Sequence, residues 1–128
     1  YSLPTAPVTN SYESIATTTV SSSVASITFS SIPATYKHLQ IRYIARDSAT
    51  SSGSDDMIIT FNSGASPTYS WHRLVGDGAT ASSTGLASQS QIQISSGAIS
   101  RGGNAAYIFS AGIIDILDYQ NTNKTIRD

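Results

Sequence analysis

His38-Leu39-Gln40-Ile41-Arg42-Tyr43-Ile44-Ala45-Arg46 is the stretch that decides the fold. Leu39, Ile41, Tyr43 and Ala45 alternate with His38, Gln40, Arg42 and Arg46, and only Ile44 breaks the rule. A period of two puts successive side chains on opposite faces of an extended chain, so this segment predicts a strand with one dry and one wet face. The same rhythm spreads outward. Upstream, Tyr12 to Val20 is a Thr-rich strand candidate and Val24 to Phe29 sets Ala25, Ile27 and Phe29 against Ser26 and Thr28. Downstream, Met57 to Asn62, Tyr69 to Val75 and Gln89 to Ser95 alternate in the same way. Ala105 to Tyr119 is the most apolar stretch and reads as a central strand; a helix is the competing reading, disfavoured by Gly112 and the β-branched isoleucines.

Composition agrees with this. Ser and Thr supply about three residues in ten, while charged residues are only 12% and cysteine is absent. Hydroxyl side chains compete for backbone partners in a helix but suit the uncharged face of a short strand. Turn chemistry separates the strands at Ser21–Ser23, Ser30–Tyr36, Asp47–Asp56, Ser63–Pro67, Gly76–Gly85 and Ser96–Asn104. The expectation is an all-β fold, an antiparallel β-sandwich or jelly roll of about seven short strands. One domain spans residues 11–128, and residues 1–10, with Pro4 and Pro7, form an extended arm. Lys124 to Asp128 reads as a strand just beginning, so the expectation is a very short last strand, a further stretch of chain, or a neighbouring subunit that completes the sheet.

Charge and spacing restrict the function. A net charge of −1 and a pI near 6.1 leave no basic face for phosphate neutralisation, so no nucleic-acid partner is expected. No apolar run approaches the ~20 residues of a membrane span, and no membrane partner is expected. Asp55 and Asp56, with Asp47 upstream, read as a solvated turn; Ca²⁺ is the alternative, although no calcium-loop spacing is present. His38 and His72 are the only histidines and do not make a zinc site. Asp77-Gly78 is a turn dipeptide, and Gly102-Gly103-Asn104 a bend rather than a phosphate cradle. Asp115 and Asp118 have opposite strand parity, so one turns inward and needs a partner such as Arg42, Arg46 or Arg73. No catalytic residue, metal or cofactor is expected.

Aromatic residues carry the functional hint. Tyr36, Tyr43, Tyr69, Trp71, Tyr107 and Tyr119 suit either a sugar-stacking platform or an interface patch. Within Tyr69-Ser70-Trp71-His72-Arg73, Tyr69 and Trp71 share one strand face while Ser70 and His72 take the other. Tyr69, Trp71, His72 and Arg73 are the candidate contact residues for a glycan or a partner protein.

Three phrases resemble a known family. They are Tyr12-Glu13-Ser14-Ile15-Ala16-Thr17-Thr18 with Ile27-Thr28-Phe29-Ser30-Ser31-Ile32-Pro33-Ala34-Thr35-Tyr36-Lys37-His38-Leu39; Tyr69-Ser70-Trp71-His72-Arg73-Leu74 with Gly76-Asp77-Gly78; and Ile113-Ile114-Asp115-Ile116-Leu117-Asp118-Tyr119 with Asn121-Thr122-Asn123-Lys124-Thr125. Together they resemble small virion-associated proteins of tailed phages, notably of marine bacteria and cyanobacteria. Members of that family usually continue through further strands to an apolar, aromatic end, whereas this sequence stops at Asp128. The resemblance implies a non-enzymatic virion structural protein, either a capsid decoration or an appendage subunit, and transfers no catalytic residue. Other virion proteins are then the expected partners; separately, edge strands without a consistent charged guard point to a homo-oligomer, and the Pro-containing arm, with Tyr1, Leu3, Pro4, Pro7 and Val8, is expected to dock on a neighbour. The alternative is a carbohydrate-binding module, free or on a tail fibre, that takes a host-surface glycan.

Overall fold

The computed structural model describes residues 12–62 and 69–121. The arm residues Tyr1, Leu3, Pro4, Pro7 and Val8, the expected turn at 63–67 and the expected strand start at 124–128 therefore lie wholly or almost wholly outside the described residues. The chain divides into two compact units, Tyr1–Tyr36 and Lys37–Asp128.

In the first unit, the described residues 12–36 form neither strand nor helix, and all but Tyr36 are exposed. This corrects the reading of Tyr12–Val20 and Val24–Phe29 as strands. Alternation is necessary for a half-buried strand but not sufficient, because a strand also needs a partner for its backbone groups.

Among the described residues, the second unit holds six strands: β1 (Leu39–Ala45), β2 (Ser54–Ile59), β3 (Tyr69–Gly76), β4 (Ala81–Gln89), β5 (Ile92–Ser100) and β6 (Ser110–Ile116). β1 pairs with β6, β2 with β5 and β3 with β4, all antiparallel. This nested order is that of one long hairpin rolled on itself, the pairing scheme of a jelly roll. β5 lies beside both β6 and β3, and so joins the three ladders. The fold is all-β, antiparallel and sandwich-like, as its composition predicts. The apolar stretch Ala105–Tyr119 contributes β6, which rules out the helical alternative there.

Burial follows the period of two. In β3, Tyr69, Trp71, Arg73 and Val75 are half-buried while Ser70, His72, Leu74 and Gly76 are exposed. In β6, Ser110, Gly112, Ile114 and Ile116 alternate in the same way with exposed neighbours. Register matches these rows: Leu39 stands opposite Ile116, Ile41 opposite Ile114 and Tyr43 opposite Gly112. The last pair explains a glycine in mid-strand, since the Tyr43 ring lies where a Cβ on residue 112 would project. The Tyr43 hydroxyl donates to the Ala98 carbonyl at 3.3 Å and so ties β1 to β5.

Three of the expected loops contain strand ends, the first being Asp47–Asp56, which holds the start of β2. Gly76–Gly85, expected as a loop, contains the first half of β4, and Ser96–Asn104 contains the end of β5. Ala81-Ser82-Ser83-Thr84-Gly85 has no apolar alternation to betray a strand, and β4 is exposed along nearly its whole length. β5 was hidden by a bulge. Ile99 and Ile94 face Asp55 and Met57, so five steps on β5 match two on β2, and Gly97 takes φ 102° within that excess. A smaller bulge lies between the Tyr69 and Trp71 pairings, where Ser88 on β4 takes φ 56°.

Candidate functional site

The deepest point of the second unit is the end of β5. Ala98 and Ser100, at 8% and 5% exposure, are the two buried residues among those described. Around Ser100 the β1–β2 connection meets the β5–β6 connection. Arg46 forms a parallel bridge with Ser100, and the Asp47 amide donates to the Ser100 carbonyl at 3.0 Å. Asn104 works from the other side. Its Nδ2 donates to the Gly53 carbonyl at 2.6 Å and to Ser100 Oγ at 2.9 Å, while its Oδ1 accepts from the Gly53 amide at 2.8 Å. Arg46 donates to the carbonyls of Gly102 and Asn104. Asp47 Oδ1 accepts from the amides of Ala49 and Gly102, both at 2.9 Å. Gly103 fits against the backbone of Thr50 and Ser51 so closely that a Cβ would collide with it.

Charges complete this knot. Arg101 forms an ion pair with Asp55 at 2.7 Å and donates to Ser51 Oγ at 3.0 Å. The hydrogen bond and charge of the Arg101 guanidinium hold Asp55 below the usual carboxylate range. Asp55 in turn raises the pKa of Arg101, with a smaller contribution from Asp47. Arg46 Nε, Asp47 Oδ2 and Arg101 Nε are buried without a hydrogen-bond partner, and the attraction between Asp47 and Arg101 offsets part of that cost. The knot pins two connections to one strand end.

Asp55 and Asp56 stand inside β2, not in the expected loop, and burial alternates between them. Asp55 faces Arg101, while Asp56 accepts from Gln93 Nε2 at 2.6 Å. Among the described residues, no group of three or more His, Cys, Asp or Glu is placed to hold a metal ion. Among the same residues, no helix is long and apolar enough to cross a membrane.

The aromatic candidates occupy β3. Tyr69 is half-buried, and its hydroxyl accepts from the Phe61 amide at 2.8 Å and donates to the Phe61 carbonyl at 3.1 Å. Its ring meets that of Phe61 at 6.4 Å and a tilt of 50°. Trp71 is half-buried opposite Leu86, and Arg73 donates to Ser95 Oγ on β5. His72 lies on the exposed face, where its ring covers Gly85 of β4. The structure thus splits the four residues between two faces of one strand. Tyr107 stands apart in the β5–β6 connection at 90% exposure with φ 70°.

The expected arginine partner for Asp115 or Asp118 is replaced by amides. Asp115 is exposed and accepts from Gln40 Nε2 at 2.7 Å. Asp118 is the inward-turned carboxylate, half-buried in the turn after β6; it accepts from Asn121 Nδ2 at 2.8 Å, and its amide donates to His38 Nδ1 at 2.8 Å. At Asp77 the turn reading holds. Asp77 Oδ1 accepts from the amides of Ala79 and Thr80, and Gly78 takes φ 91°. The knot around Ser100 was not legible as a site, because its members are far apart in sequence and each reads locally as a turn residue.

No family model, curated protein or solved structure matches the chain significantly.

Proposed function

We propose that this chain is a non-enzymatic structural protein of a phage particle, a capsid-decoration or appendage subunit that docks through neutral polar and aromatic contacts. One observation carries the reading. The strands pair in antiparallel ladders, yet large apolar side chains on them stay open to solvent: Leu74 at 81%, Ile44 at 77% and Ile113 at 63%. Large apolar side chains left open on a folded sheet are surface that a partner can cover. A subunit of a particle gains the missing burial from its neighbours, and an array needs little affinity per copy because neighbours raise the effective concentration. Few charges are present to be screened, so docking depends weakly on salt.

A glycan-binding module built on Tyr69, Trp71, His72 and Arg73 has less support. The polar ends of Tyr69 and Arg73 already bond within the fold. Quantitative mass spectrometry of purified particles tests the virion reading. Hundreds of copies per particle mean capsid decoration and a few dozen mean an appendage, whereas absence from particles refutes it.

A further inference from the structure

We infer that the outer edge of β4 pairs with the same edge of a second copy of this chain, antiparallel and about a two-fold axis at Ser83. Among the described residues β4 pairs with β3 alone, and it is exposed from Ala81 to Ser88. Strand edges that stay free are usually blunted by charge, proline or a bulge. From Gly78 to Ser100 the sequence contains neither a charged residue nor a proline. The bulge marked by Ser88 comes only beyond Leu86, so Ala81 to Leu86 is a regular and unguarded edge.

The turn settles which backbone groups this edge presents. The Asp77 amide donates to the Thr80 carbonyl at 3.2 Å, which makes residues 77 and 80 a hydrogen-bonded pair. Hydrogen-bonded and non-hydrogen-bonded pairs alternate along an antiparallel ladder. Ser82, Thr84 and Leu86, opposite Val75, Arg73 and Trp71, therefore bond to β3. Ala81, Ser83 and Gly85, opposite Gly76, Leu74 and His72, turn their N–H and C=O groups away from β3. The close approach of the His72 ring to Gly85 fits a non-hydrogen-bonded pair, in which the two strands come nearer.

Alternating donors and acceptors in a row are complemented by an extended backbone. Side chains select a second copy as the source of that backbone. Ala81-Ser82-Ser83-Thr84-Gly85 is nearly palindromic, with small residues at its ends and hydroxyl residues on either side of Ser83. A two-fold axis at Ser83 sets Ser83 opposite itself, Ala81 opposite Gly85 and Ser82 opposite Thr84. Every residue turned outward on one copy then meets a residue turned outward on the other. Ser–Thr pairs across strands are favourable, and no like charges meet. The axis that matches the side chains is thus also the one that matches the hydrogen bonds. Such a joint is smaller than the ~800 Å² per partner of a standard interface, so the dimer forms at high protein concentration. This inference rests on the edge of β4 and stands apart from the virion reading.

Sedimentation equilibrium of the full chain, from dilute solution up to ~1 mM, tests it, with thermal melts to verify folding. The unmodified chain should pass from monomer to dimer. Ser83→Lys, which sets like charges face to face, should weaken the dimer roughly thirtyfold or more. Ser83→Pro removes an outward N–H while sparing the bonds to β3, and should weaken it as well. Ser83→Lys and Ser83→Asp should each be monomeric alone and dimeric when mixed, because residue 83 meets itself only at the axis. Ile113→Lys, at an exposed position on β6, should change nothing. Amide exchange gives the matching local signature: dimerisation should slow it at Ala81, Ser83 and Gly85 but not at Ser82 and Thr84. A monomer at every concentration, an assembly that Ser83→Lys leaves intact, or equal loss from Ile113→Lys overturns the inference. A chain found on particles but monomeric in solution refutes this inference alone.

Discussion

Gly112→Ala should destabilise the second unit by about 2 kcal/mol, and the structure supplies the reason. A Cβ on residue 112 would lie 2.5 Å from Cε1, Cζ and Oη of Tyr43. Carbon atoms pack at ~3.5–4.0 Å, so the ring must retreat by about 1 Å. That retreat breaks the 3.3 Å hydrogen bond from the Tyr43 hydroxyl to the Ala98 carbonyl. Losing the bond costs ~0.5–1.5 kcal/mol. Crowding a packed row costs ~1–3 kcal/mol. Replacing Gly by Ala returns ~0.4–1 kcal/mol through the unfolded chain. The net is a loss of ~1–3 kcal/mol, or a fall of about 10 °C in Tm for a unit of this size. Urea unfolding followed by the fluorescence of Trp71, the single tryptophan, measures it. The decisive comparison is a double-mutant cycle with Tyr43→Leu, in which Gly112→Ala should cost ~1 kcal/mol less than in the unmodified chain. An equal cost in both backgrounds would show that Tyr43 is not what residue 112 meets.

Other perturbations address the knot, the hairpin turn and β3. Gly103→Ala should cost about 3 kcal/mol, more than Gly112→Ala, because its Cβ meets the backbone of Thr50 and Ser51 and no side chain can swing aside; thermal melts of the two variants side by side check the order. Asn104→Ala removes three hydrogen bonds, two to Gly53 of the other connection and one to Ser100 of β5, and should cost ~2–3 kcal/mol, with faster amide exchange at Gly53 as the local signature. The amides of Thr80 and Ala79 hold the Asp77 carboxyl below its usual range. A lowered native pKa stabilises the fold above the ordinary carboxylate value of ~3.9 and loses that effect as pH falls through the native value. Asp77→Ala should therefore be less stable than the unmodified chain at neutral pH, and the gap should close in acid; a gap independent of pH would contradict this. Trp71→Ala should cost ~1.5–3 kcal/mol, below the ~3–5 kcal/mol of a fully buried aromatic, because Trp71 is only half-buried.

Where an element's signal is local, the sequence is enough. Leu39–Ala45 alternates because one face of β1 packs and the other is more open; burial falls on Leu39, Ile41, Tyr43 and Ala45 as the pattern requires, with Gln40, expected outward, half-buried as well. Asp77-Gly78 specifies its turn because the Asp carboxyl caps amides two and three residues ahead and Gly accepts the left-handed conformation. The same logic of Ser, Thr and β-branched residues fixes the all-β class without any knowledge of contacts. Tyr69 and Trp71 on one face, with His72 on the other, also follow from parity alone.

What only the tertiary structure decided is pairing. Val24–Phe29 alternates as cleanly as β1 yet forms no strand, while Ala81–Gln89 shows no alternation and is one. β4 exists because the Asp77 turn delivers it to β3; β1 exists as a paired strand because Ile114 and Ile116, far along the chain, come to lie opposite Ile41 and Leu39. The same distance hides the Ser100 knot, in which Arg46 and Asp47 reach Gly102 and Asn104 across a whole rolled hairpin. A residue's pattern records which face it prefers, but hydrogen-bonding partners on a sheet are set by the path of the chain between them.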